Sequence, residues 1–209
     1  MRIIAGSARG RRLKSLQGLR LRPTRDMVRE AVFSSLMPRL PGSRVLDLFA
    51  GTGAWGIEAL SRGAVSAVFV DIDQQACDLI HTNLTNCGWR CSEEIQILRK
   101  EAARWLTSME AKAETQEFDL IFADPPYNRG FEETVLRVLS GGKLLSADGV
   151  LVLESNARQV LPTYAGKLLQ YKTKTYGDTR ISYYHPIQQN GTAGKEGNTH
   201  GYSGSPGGV

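Results

Sequence analysis

The sequence predicts an α/β protein with a mostly parallel sheet, and three observations support this class. From Arg44 onward, short apolar runs alternate with amphipathic stretches of helical period, as strands joined by crossover helices require. A glycine-rich turn, "GTGAWG" at 51–56, directly follows the first of these apolar runs. Two strand-like segments near the C-terminus are separated by "YGD", which predicts an antiparallel hairpin at the end of the sheet.

Predicted strands and helices alternate along the chain after Arg44. Strands are expected where apolar residues run together: 44–49, 66–72, 94–99, 118–127 (ending in a loop), 149–155, and the hairpin strands 168–174 and 180–185. Helices are expected where apolar residues recur every three or four positions: 54–62, 74–87, 101–112 and 132–139. Asp73 can cap the second helix, because its carboxylate can accept hydrogen bonds from the first turn.

The chain divides into three parts, which are a basic extension over 1–40, an α/β domain over 41–187 and a tail over 188–209. The extension should form a small β-hairpin from "RIIAG" and "RRLKSL", then a helix that starts at Thr24 or Asp26 and ends at Leu36. The tail is rich in Gly, Ser, Thr and Asn, so it cannot bury enough apolar surface to offset the entropy lost on ordering. We expect the tail to be disordered and dispensable.

Length and composition favour one soluble domain over a multidomain or membrane protein. A chain of 209 residues with 41% hydrophobic residues can bury one sizeable core but is short for two ordinary domains. No apolar run reaches the roughly 18 residues of a membrane span, and the N-terminus lacks the apolar segment of a secretory signal. We therefore expect a soluble, cytoplasmic protein, and nothing in the sequence requires more than a monomer.

Three cysteines and one histidine lie close together in the sequence. Cys77 and His81 are spaced C-x3-H, and Cys87 and Cys91 are spaced C-x3-C. Both spacings depart from the C-x2-C pattern that is usual for structural zinc, and the first pair falls on an ordinary amphipathic helix. An odd, small number of cysteines also suits a reducing compartment. We expect free cysteines and no metal site.

Positive charge is concentrated at the N-terminus. Residues 1–44 hold eleven Lys or Arg and two acidic residues, a net charge of +9, whereas the whole chain carries +5. The rest of the chain therefore carries −4. A solvated basic face would explain such a run, but so strong a local excess before an acidic body favours contact with a polyanion. Nucleic acid is the expected partner.

The glycine turn matches the G-x-G-x-x-G pattern of dinucleotide-binding proteins, but its neighbours favour another ligand. Asp71 lies 20 residues after Gly51 and could accept from both ribose hydroxyls, of NAD or of S-adenosylmethionine equally. Asp47 would repel a pyrophosphate but attract the ammonium group of a methionine moiety. Free N–H groups at the start of the following helix could hold the methionine carboxylate. The turn therefore predicts S-adenosylmethionine.

The fourth predicted strand ends in "DPPY", at Asp124, Pro125, Pro126 and Tyr127, which has no role in hydride transfer. An exocyclic amino group is a poor nucleophile because its lone pair is delocalised into the ring. The Asp124 carboxylate and the Pro125 carbonyl could accept its two hydrogens and free that lone pair. The two prolines fix the backbone, and Tyr127 offers a ring on which a flipped base can stack. The pattern predicts methyl transfer to an amino group.

These motifs resemble the RsmD-like family of bacterial small-subunit ribosomal RNA guanine-N2 methyltransferases, over Arg2 to about His185. Five segments carry the resemblance together with "MRIIAGSARGRRL", namely "LRPTRDMVREAVFSSL", "VLDLFAGTGAWGIEALSRGA", "VFVDID", "FDLIFADPPY" and "YGDTRISYY". The resemblance implies a Rossmann-like S-adenosylmethionine-dependent methyltransferase fold. It also implies methylation of N2 of one guanine in 16S rRNA, the family's guanine-966 site, on assembled or nearly assembled 30S particles.

The resemblance assigns site residues by position. It implies cofactor contacts from Asp47, Phe49, Gly51, Gly53, Asp71, Ile72, Glu101 and Ala102, and a target-base pocket from Asp124, Pro125, Pro126 and Tyr127. The basic residues expected to contact RNA phosphates are Arg9, Arg11, Arg12, Lys14, Arg22 and Arg25. Arg22, Arg25 and Arg29 lie on or before the predicted helix, and for each of them a helix-surface role is as good an explanation as RNA contact. Two positions depart from the family, which commonly has Asp at the position of Glu101 and a smaller aliphatic residue at that of Trp55.

Three other functions remain open at this point. A DNA adenine-N6 methyltransferase also uses D-P-P-Y, but such enzymes usually carry a sizeable target-recognition domain for which this chain has no room. An NAD-dependent reductase would use the same glycine turn. A non-catalytic RNA-binding protein could retain the fold, although the intact D-P-P-Y run argues against it.

Overall fold

The computed structural model describes residues 1–15, 23–112, 116–127 and 129–187. Within these ranges the strands are β1 Arg44–Leu48, β2 Ser66–Asp71, β3 Ile95–Arg99, β4 Phe118–Ala123, β5 Leu145–Asn156, β6 Tyr164–Ala165, β7 Leu168–Tyr176 and β8 Thr179–Pro186. They form one sheet in the order β3-β2-β1-β4-β5-β8-β7-β6. Strands β1 to β5 pair in parallel, and β6, β7 and β8 add to β5 in antiparallel pairing. The predicted α/β class with a mostly parallel sheet and a C-terminal hairpin is confirmed.

Among the α-helices of the described residues, the first precedes the sheet and the others connect its parallel strands. The helices are α1 Pro23–Leu36, α2 Ala54–Ser61, α3 Gln74–Cys87, α4 Ala102–Glu110 and α5 Phe131–Leu139. Asp73 caps α3 as predicted, since its Oδ1 accepts from the backbone N–H of Gln75 at 2.8 Å. None of these helices combines the length and the apolar character that crossing a lipid bilayer would need.

The two faces of the sheet are buried in separate apolar layers. On one face, α1, α2 and α3 pack through residues such as Phe33, Ile57 and Ile80, and the N-terminal segment joins this layer through Ile3. On the other face, α4 and α5 pack through residues that include Leu106 and Leu136. Burial on both faces explains why the central strands are rich in apolar residues without strict alternation.

The helix α1 and the strand β5 both begin earlier than the sequence predicts. Helix α1 begins at Pro23, before Thr24 and Asp26, because the N–H that proline lacks would be unpaired in a first turn anyway. Strand β5 begins at Leu145, before the predicted 149, and pairs with β4 across a register shift. The polar residues Ser146 and Asp148 and this irregularity conceal the first part of the strand. The short strand β6 was not predicted.

The predicted N-terminal hairpin is reduced to a single antiparallel bridge between Arg2 and Arg12. The N–H of Ile3 donates to the Arg11 carbonyl at 2.9 Å, so the chain does reverse direction. It forms no regular strands over 1–15 because neighbouring backbone groups pair with side chains of α2 instead. The end of the predicted second hairpin strand at residue 16 and the whole tail over 188–209 lie outside the described residues.

Candidate active site

The glycine turn connects the end of β1 to the start of α2. Phe49 has a positive φ of 58°, and Gly51 and Gly53 have φ of 53° and 73°, conformations that strongly favour glycine. A Cβ on Gly53 would approach Ile80 to 3.2 Å, and one on Gly56 would lie 2.3 Å from the Phe69 ring. The first and second glycines therefore serve the turn, and the third lets α2 pack closely on β2.

Asp47 lies beneath this turn in β1 and is only 1% exposed. Its Oδ2 accepts from the backbone N–H of Gly56 at 2.9 Å, whereas its buried Oδ1 has no hydrogen-bond partner among the described residues. Burial raises the pKa of Asp47 well above its ordinary value, the Gly56 N–H opposes that rise, and the charges of Asp124 and Asp71 add to it. The site therefore holds a carboxylate oxygen that a cation would stabilise.

The backbone N–H groups at the start of α2 are not all free, because that of Gly56 donates to Asp47. The N–H groups of the first turn were predicted to be free for the carboxylate of a ligand. That of Gly56 is taken by Asp47, and that of Ile57 donates to the Gly53 carbonyl at 2.9 Å. A ligand carboxylate could use only the N–H groups nearer the turn.

Asp71 ties the end of β2 to the glycine turn. Its Oδ2 accepts from the N–H of Gly51 at 2.8 Å, and its Oδ1 accepts from the N–H of Asp73 at 2.9 Å. Each carboxylate oxygen has two acceptor sites, so each retains one for a hydroxyl group. Ile72 follows with 64% of its surface exposed, which leaves an apolar side chain free beside this carboxylate.

Ile72 and Glu101 line the same shallow depression, together with Arg99, Lys100, Arg104, Trp105 and Ser108. Glu101 caps α4, since its two oxygens accept from the N–H groups of Ala103 and Arg104 at 3.0 and 2.8 Å. Ala102 is buried at the start of the same helix. The Glu101 carboxylate thus already has a structural role, which the sequence pattern did not reveal.

The D-P-P-Y run lies beside the glycine turn. The N–H of Asp124 reaches the Leu48 carbonyl at 3.5 Å, which brings the end of β4 next to the end of β1. Pro125 is buried and Pro126 is exposed, while Asp124 and Tyr127 are half-buried. The predicted clamp and the predicted cofactor turn are therefore neighbours at the carboxyl edge of the sheet, where ligands of open α/β sheets bind.

Tyr127 is held by its hydroxyl group. This hydroxyl donates to Glu154 Oε1 at 2.7 Å and lies 3.2 Å from the Thr179 hydroxyl. Burial raises the pKa of Tyr127, the Thr179 hydroxyl opposes the rise, and the charge of Glu154 adds to it, so the phenol stays protonated and donates. These bonds fix the end of the D-P-P-Y loop to β5 and β8.

Sequence reasoning missed Glu154, Thr179 and Asn83. Glu154 is a charged residue within the apolar run "GVLVLES", and Thr179 completes the "YGDT" segment. Asn83 is fully buried on the apolar face of α3. For Glu154 and Asn83 the available signal was a polar residue at an otherwise apolar position, because a buried polar group needs a specific partner.

The basic N-terminal segment is exposed but firmly anchored. The side chains of Arg9, Arg11, Arg12 and Lys14 are exposed. The backbone between them and the N-terminus is bound by Glu58, whose oxygens accept from the N–H groups of Ile4 and Ala5 at 2.8 and 3.0 Å. The segment therefore presents its cations from a fixed backbone.

Three other arginines have different outcomes. Arg22 lies outside the described residues, and Arg25 lies in α1 with its side chain outside them. Arg29 is only 2% exposed, donates to the Arg2 carbonyl at 2.6 Å and pairs with Asp26 at 3.1 Å. Neither a helix-surface role nor RNA contact is correct for Arg29, because it is a buried anchor of the N-terminus.

The cysteines are free in the structure, with Cys77 buried, Cys87 half-buried and Cys91 exposed. Over the part of the chain that the structure describes, no three His, Cys, Asp or Glu side chains are grouped so that they could hold a metal ion.

Comparison with known proteins places the chain in a family. The family described as Conserved hypothetical protein 95 matches residues 1–185. YlbH of Bacillus subtilis, a candidate rRNA methyltransferase, is 40% identical over 184 residues, which are 88% of this chain and 98% of YlbH. Ribosomal RNA small subunit methyltransferase D of Escherichia coli is 30% identical over 184 residues, covering 88% of this chain and 89% of that protein.

The fold comparison agrees with the sequence comparison. The structure of YhhF from Escherichia coli, a candidate methyltransferase, superposes with a TM-score of 0.75 at 30% identity, and the match covers 90% of this chain and 99% of that one. The resemblance to the RsmD-like family is thereby confirmed over most of the chain. The protein belongs to the family described as Conserved hypothetical protein 95, the family of the RsmD methyltransferases.

Proposed function

We propose that this protein transfers a methyl group from S-adenosylmethionine to the exocyclic N2 of a guanine in bacterial 16S rRNA. The observation that carries the proposal is the position of Asp124. Its backbone adjoins Leu48 at the end of β1, one residue beyond Asp47, whose buried Oδ1 lacks a partner among the described residues. An amine clamp and a site for a cationic methyl donor therefore share one edge of the sheet.

The residues at the turn suit S-adenosylmethionine. Asp47 would face the ammonium group, Asp71 would accept from the ribose hydroxyls, and the exposed Ile72 would contact the adenine ring. Phe49, Gly51 and Gly53 would shape the turn around the methionine moiety, with Glu101 and Ala102 at the adenine edge. When bound, the sulfonium supplies an electrophilic methyl group and leaves as a neutral thioether.

The residues of the D-P-P-Y loop would prepare the acceptor. The Asp124 carboxylate and the Pro125 carbonyl accept the two hydrogens of the guanine amino group, which moves the nitrogen toward tetrahedral geometry. The nitrogen lone pair then forms the new N–C bond, and the proton released afterwards passes to Asp124. Tyr127 supports the base with its ring, while its hydroxyl stays bound to Glu154 and Thr179. Alignment supplies most of the catalysis.

The relatives support RNA as the substrate class. The Escherichia coli relative is named a small subunit rRNA methyltransferase. The N-terminal segment of this chain exposes basic side chains, which suit the phosphates of RNA. We infer that Arg9, Arg11, Arg12 and Lys14, with Arg22 and Arg25, contact RNA phosphates over the extension 1–40, while 41–187 forms the catalytic domain. The guanine-966 site, 30S particles as substrate and a cytoplasmic monomer complete the proposal.

The test is methyl transfer from radiolabelled S-adenosylmethionine to 30S particles that lack the modification, with duplex DNA in a parallel reaction. We expect label in N2-methylguanine at one position of 16S rRNA. Label in adenine of the DNA would support the N6-methyltransferase alternative instead. Tight binding of NADH without binding of S-adenosylmethionine would support a reductase and contradict the cofactor assignment.

A further inference from the structure

A second cationic and aromatic surface lies on β7 and β8, away from the N-terminal segment. It consists of Tyr171, Lys172 and Lys174 of β7, His185 of β8 and the neighbouring Arg39 from the turn after α1, and we call it the β7 strip. Tyr171 is 45% exposed, Lys174 and Arg39 are exposed, and Lys172 and His185 are half-buried. The strip is thus accessible to a partner.

A β-bulge creates the strip. The pairing of β7 with β8 shifts register between Gln170 and Lys172, so Tyr171 is the extra residue. Gln170 faces one side of the sheet, where its amide donates to the Tyr184 hydroxyl at 3.0 Å. Tyr171 and Lys172 both contact the ring of Tyr183 on the other side, at 6.1 Å between ring centroids and at 4.7 Å for the ammonium group. The bulge therefore places two consecutive side chains on one face.

The cations and rings of the strip are held close together. The Tyr171 ring lies 5.1 Å from the ring of His185. Arg39 is fixed by a 2.6 Å hydrogen bond from its guanidinium to the Asp148 carbonyl. Burial raises the pKa of Tyr171, and the positive charge of Arg39 opposes that rise. Lys174 pairs with Ile181 of β8, a residue of the same apolar layer as Tyr183. An exposed ring among cations is the arrangement that binds single-stranded nucleic acid.

The strip leads to the candidate active site. Thr179, at the start of β8, lies 3.2 Å from the hydroxyl of Tyr127. Ile181 pairs with Glu154 on one side and with Lys174 on the other. The strip therefore begins within a few residues of the D-P-P-Y loop and runs away from it along β7.

The side of the sheet also agrees with the position of the basic N-terminal segment. Ile3 and Leu13 of that segment belong to the apolar layer that contains Ile181 and Tyr183. Both basic surfaces thus lie on the side of the sheet that carries α1. The hydrogen bond from Tyr127 to Glu154 lies at the edge of the sheet where the strands end. A polyanion reaching the site could contact both.

We propose that the β7 strip is a second RNA-binding surface, which holds the strand flanking the target nucleotide. This rests on the proposed function of the D-P-P-Y site. Lys172, Lys174 and Arg39 contact phosphates, and Tyr171 stacks on an unpaired base. A protein partner fits less well, because lysine is depleted at the centres of protein–protein interfaces.

The experiment compares two variants with a matched control. Lys172→Ala/Lys174→Ala removes two cations of the strip, and Tyr171→Leu removes its exposed ring. Lys143→Ala/Lys167→Ala removes two exposed lysines near the turn that follows α5. Each protein is tested for binding to protein-free 16S rRNA over a salt series, for methylation of 30S particles, and for binding of S-adenosylmethionine.

We expect the double lysine variant to bind RNA more weakly, with a salt slope smaller by about 1.4, because each phosphate contact on a single strand contributes roughly 0.7. Tyr171→Leu should weaken binding roughly tenfold with little change in slope. Both should raise KM for 30S particles, while cofactor binding and the control variant stay as in the wild type.

Unchanged RNA affinity and salt slope in both variants would overturn the proposal, and continued methylation by the wild type would leave the proposed function intact. A raised KM for 30S particles with unchanged binding to protein-free RNA would identify a ribosomal protein as the partner and also overturn it. A wild-type protein that methylates no RNA would instead contradict the proposed function.

Discussion

The side-chain amide of Asn83 holds the backbone of Lys14 from both sides. Its Oδ1 accepts from the Lys14 N–H at 2.8 Å, and its Nδ2 donates to the Lys14 carbonyl at 3.1 Å. The same Nδ2 donates to the carbonyl of Thr52 in the glycine turn at 2.9 Å. One buried residue of α3 therefore joins the basic segment to the candidate cofactor site.

Replacing Asn83 should weaken both surfaces together. In Asn83→Leu the Lys14 and Thr52 backbone groups lose their partner, which should lower the free energy of unfolding by about 1–3 kcal/mol. Binding of S-adenosylmethionine and of RNA should both weaken. Urea unfolding and two binding titrations check this, with the exposed Asn86→Ala as control. A loss of only one of the two affinities would contradict the proposed link.

Tyr127→Phe tests the role of the Tyr127 hydroxyl apart from that of its ring. The variant keeps a surface for the base but leaves the buried Glu154 without this donor, so we expect a loss of about 1–3 kcal/mol in stability. The less firmly held loop should lower kcat, with binding of S-adenosylmethionine unchanged. Thr179→Val, which removes the weaker contact, should have a smaller effect. Equal kcat for Tyr127→Phe and the wild type would show that this hydroxyl does not position the loop.

Asp124→Ala should abolish most of the methyl transfer. Removing one preorganised electrostatic partner of a transition state commonly costs about 10²–10³-fold in kcat. S-adenosylmethionine should still bind, because the turn after β1 is untouched. Single-turnover kinetics together with calorimetric titration of the cofactor distinguish the two effects. Full methylation by this variant would place the chemistry elsewhere.

Asp47→Asn should change the pH dependence of stability. Because burial raises the pKa of Asp47, the folded protein holds this proton to a higher pH than the unfolded chain does. The free energy of unfolding of the wild type should therefore fall as pH rises from the ordinary pKa of 3.8 through the raised one. The asparagine variant lacks this fall.

Without cofactor, Asp47→Asn should then be more stable than the wild type at neutral pH and should bind S-adenosylmethionine more weakly, since it lacks the negative charge. Urea unfolding between pH 4 and pH 8 measures the first effect, and titration measures the second. A stability difference that does not vary with pH would mean that Asp47 is not the titrating group. The exposed Asp178→Asn serves as the control.

Arg11→Ala/Arg12→Ala should weaken RNA binding and flatten its salt dependence. Loss of two phosphate contacts on a single strand should reduce the slope by about 1.4. The backbone of the segment is held by Glu58 and Asn83, so the fold should be retained. Filter binding over a salt series gives the slope, and an unchanged affinity and slope would remove these arginines from the RNA interface.

Much of the fold could be predicted because burial on both faces leaves a strong local signal. Most of the parallel strands read as apolar runs, Asp73 marks the start of α3, and Gly51 and Gly53 mark a turn whose geometry few other residues adopt. The start of β5 and the strand β6 could not be predicted, since polar residues and a two-residue length leave no periodicity.

Side-chain partners were less predictable than side-chain positions. The sequence placed Glu101 at the start of a helix, but its cap contacts with Ala103 and Arg104 depend on local geometry that Glu seldom adopts. Arg29 was expected at the helix surface or in contact with RNA, both of which are exposed positions. The fold instead buries it between the Arg2 carbonyl, Asp26 and Glu58.

The sequence by itself determined the order of strands and helices, the glycine turn and the D-P-P-Y run, since each depends on residues within a few positions of one another. Only the tertiary structure decided that Asp47 has an unpartnered oxygen, that Tyr127 meets Glu154 and Thr179, and that Asn83 joins Lys14 to Thr52. These contacts join residues that are up to 69 positions apart. Such pairs form where sheet pairing and helix packing bring distant segments of the chain together. Local sequence patterns do not show which distant residues will meet in space.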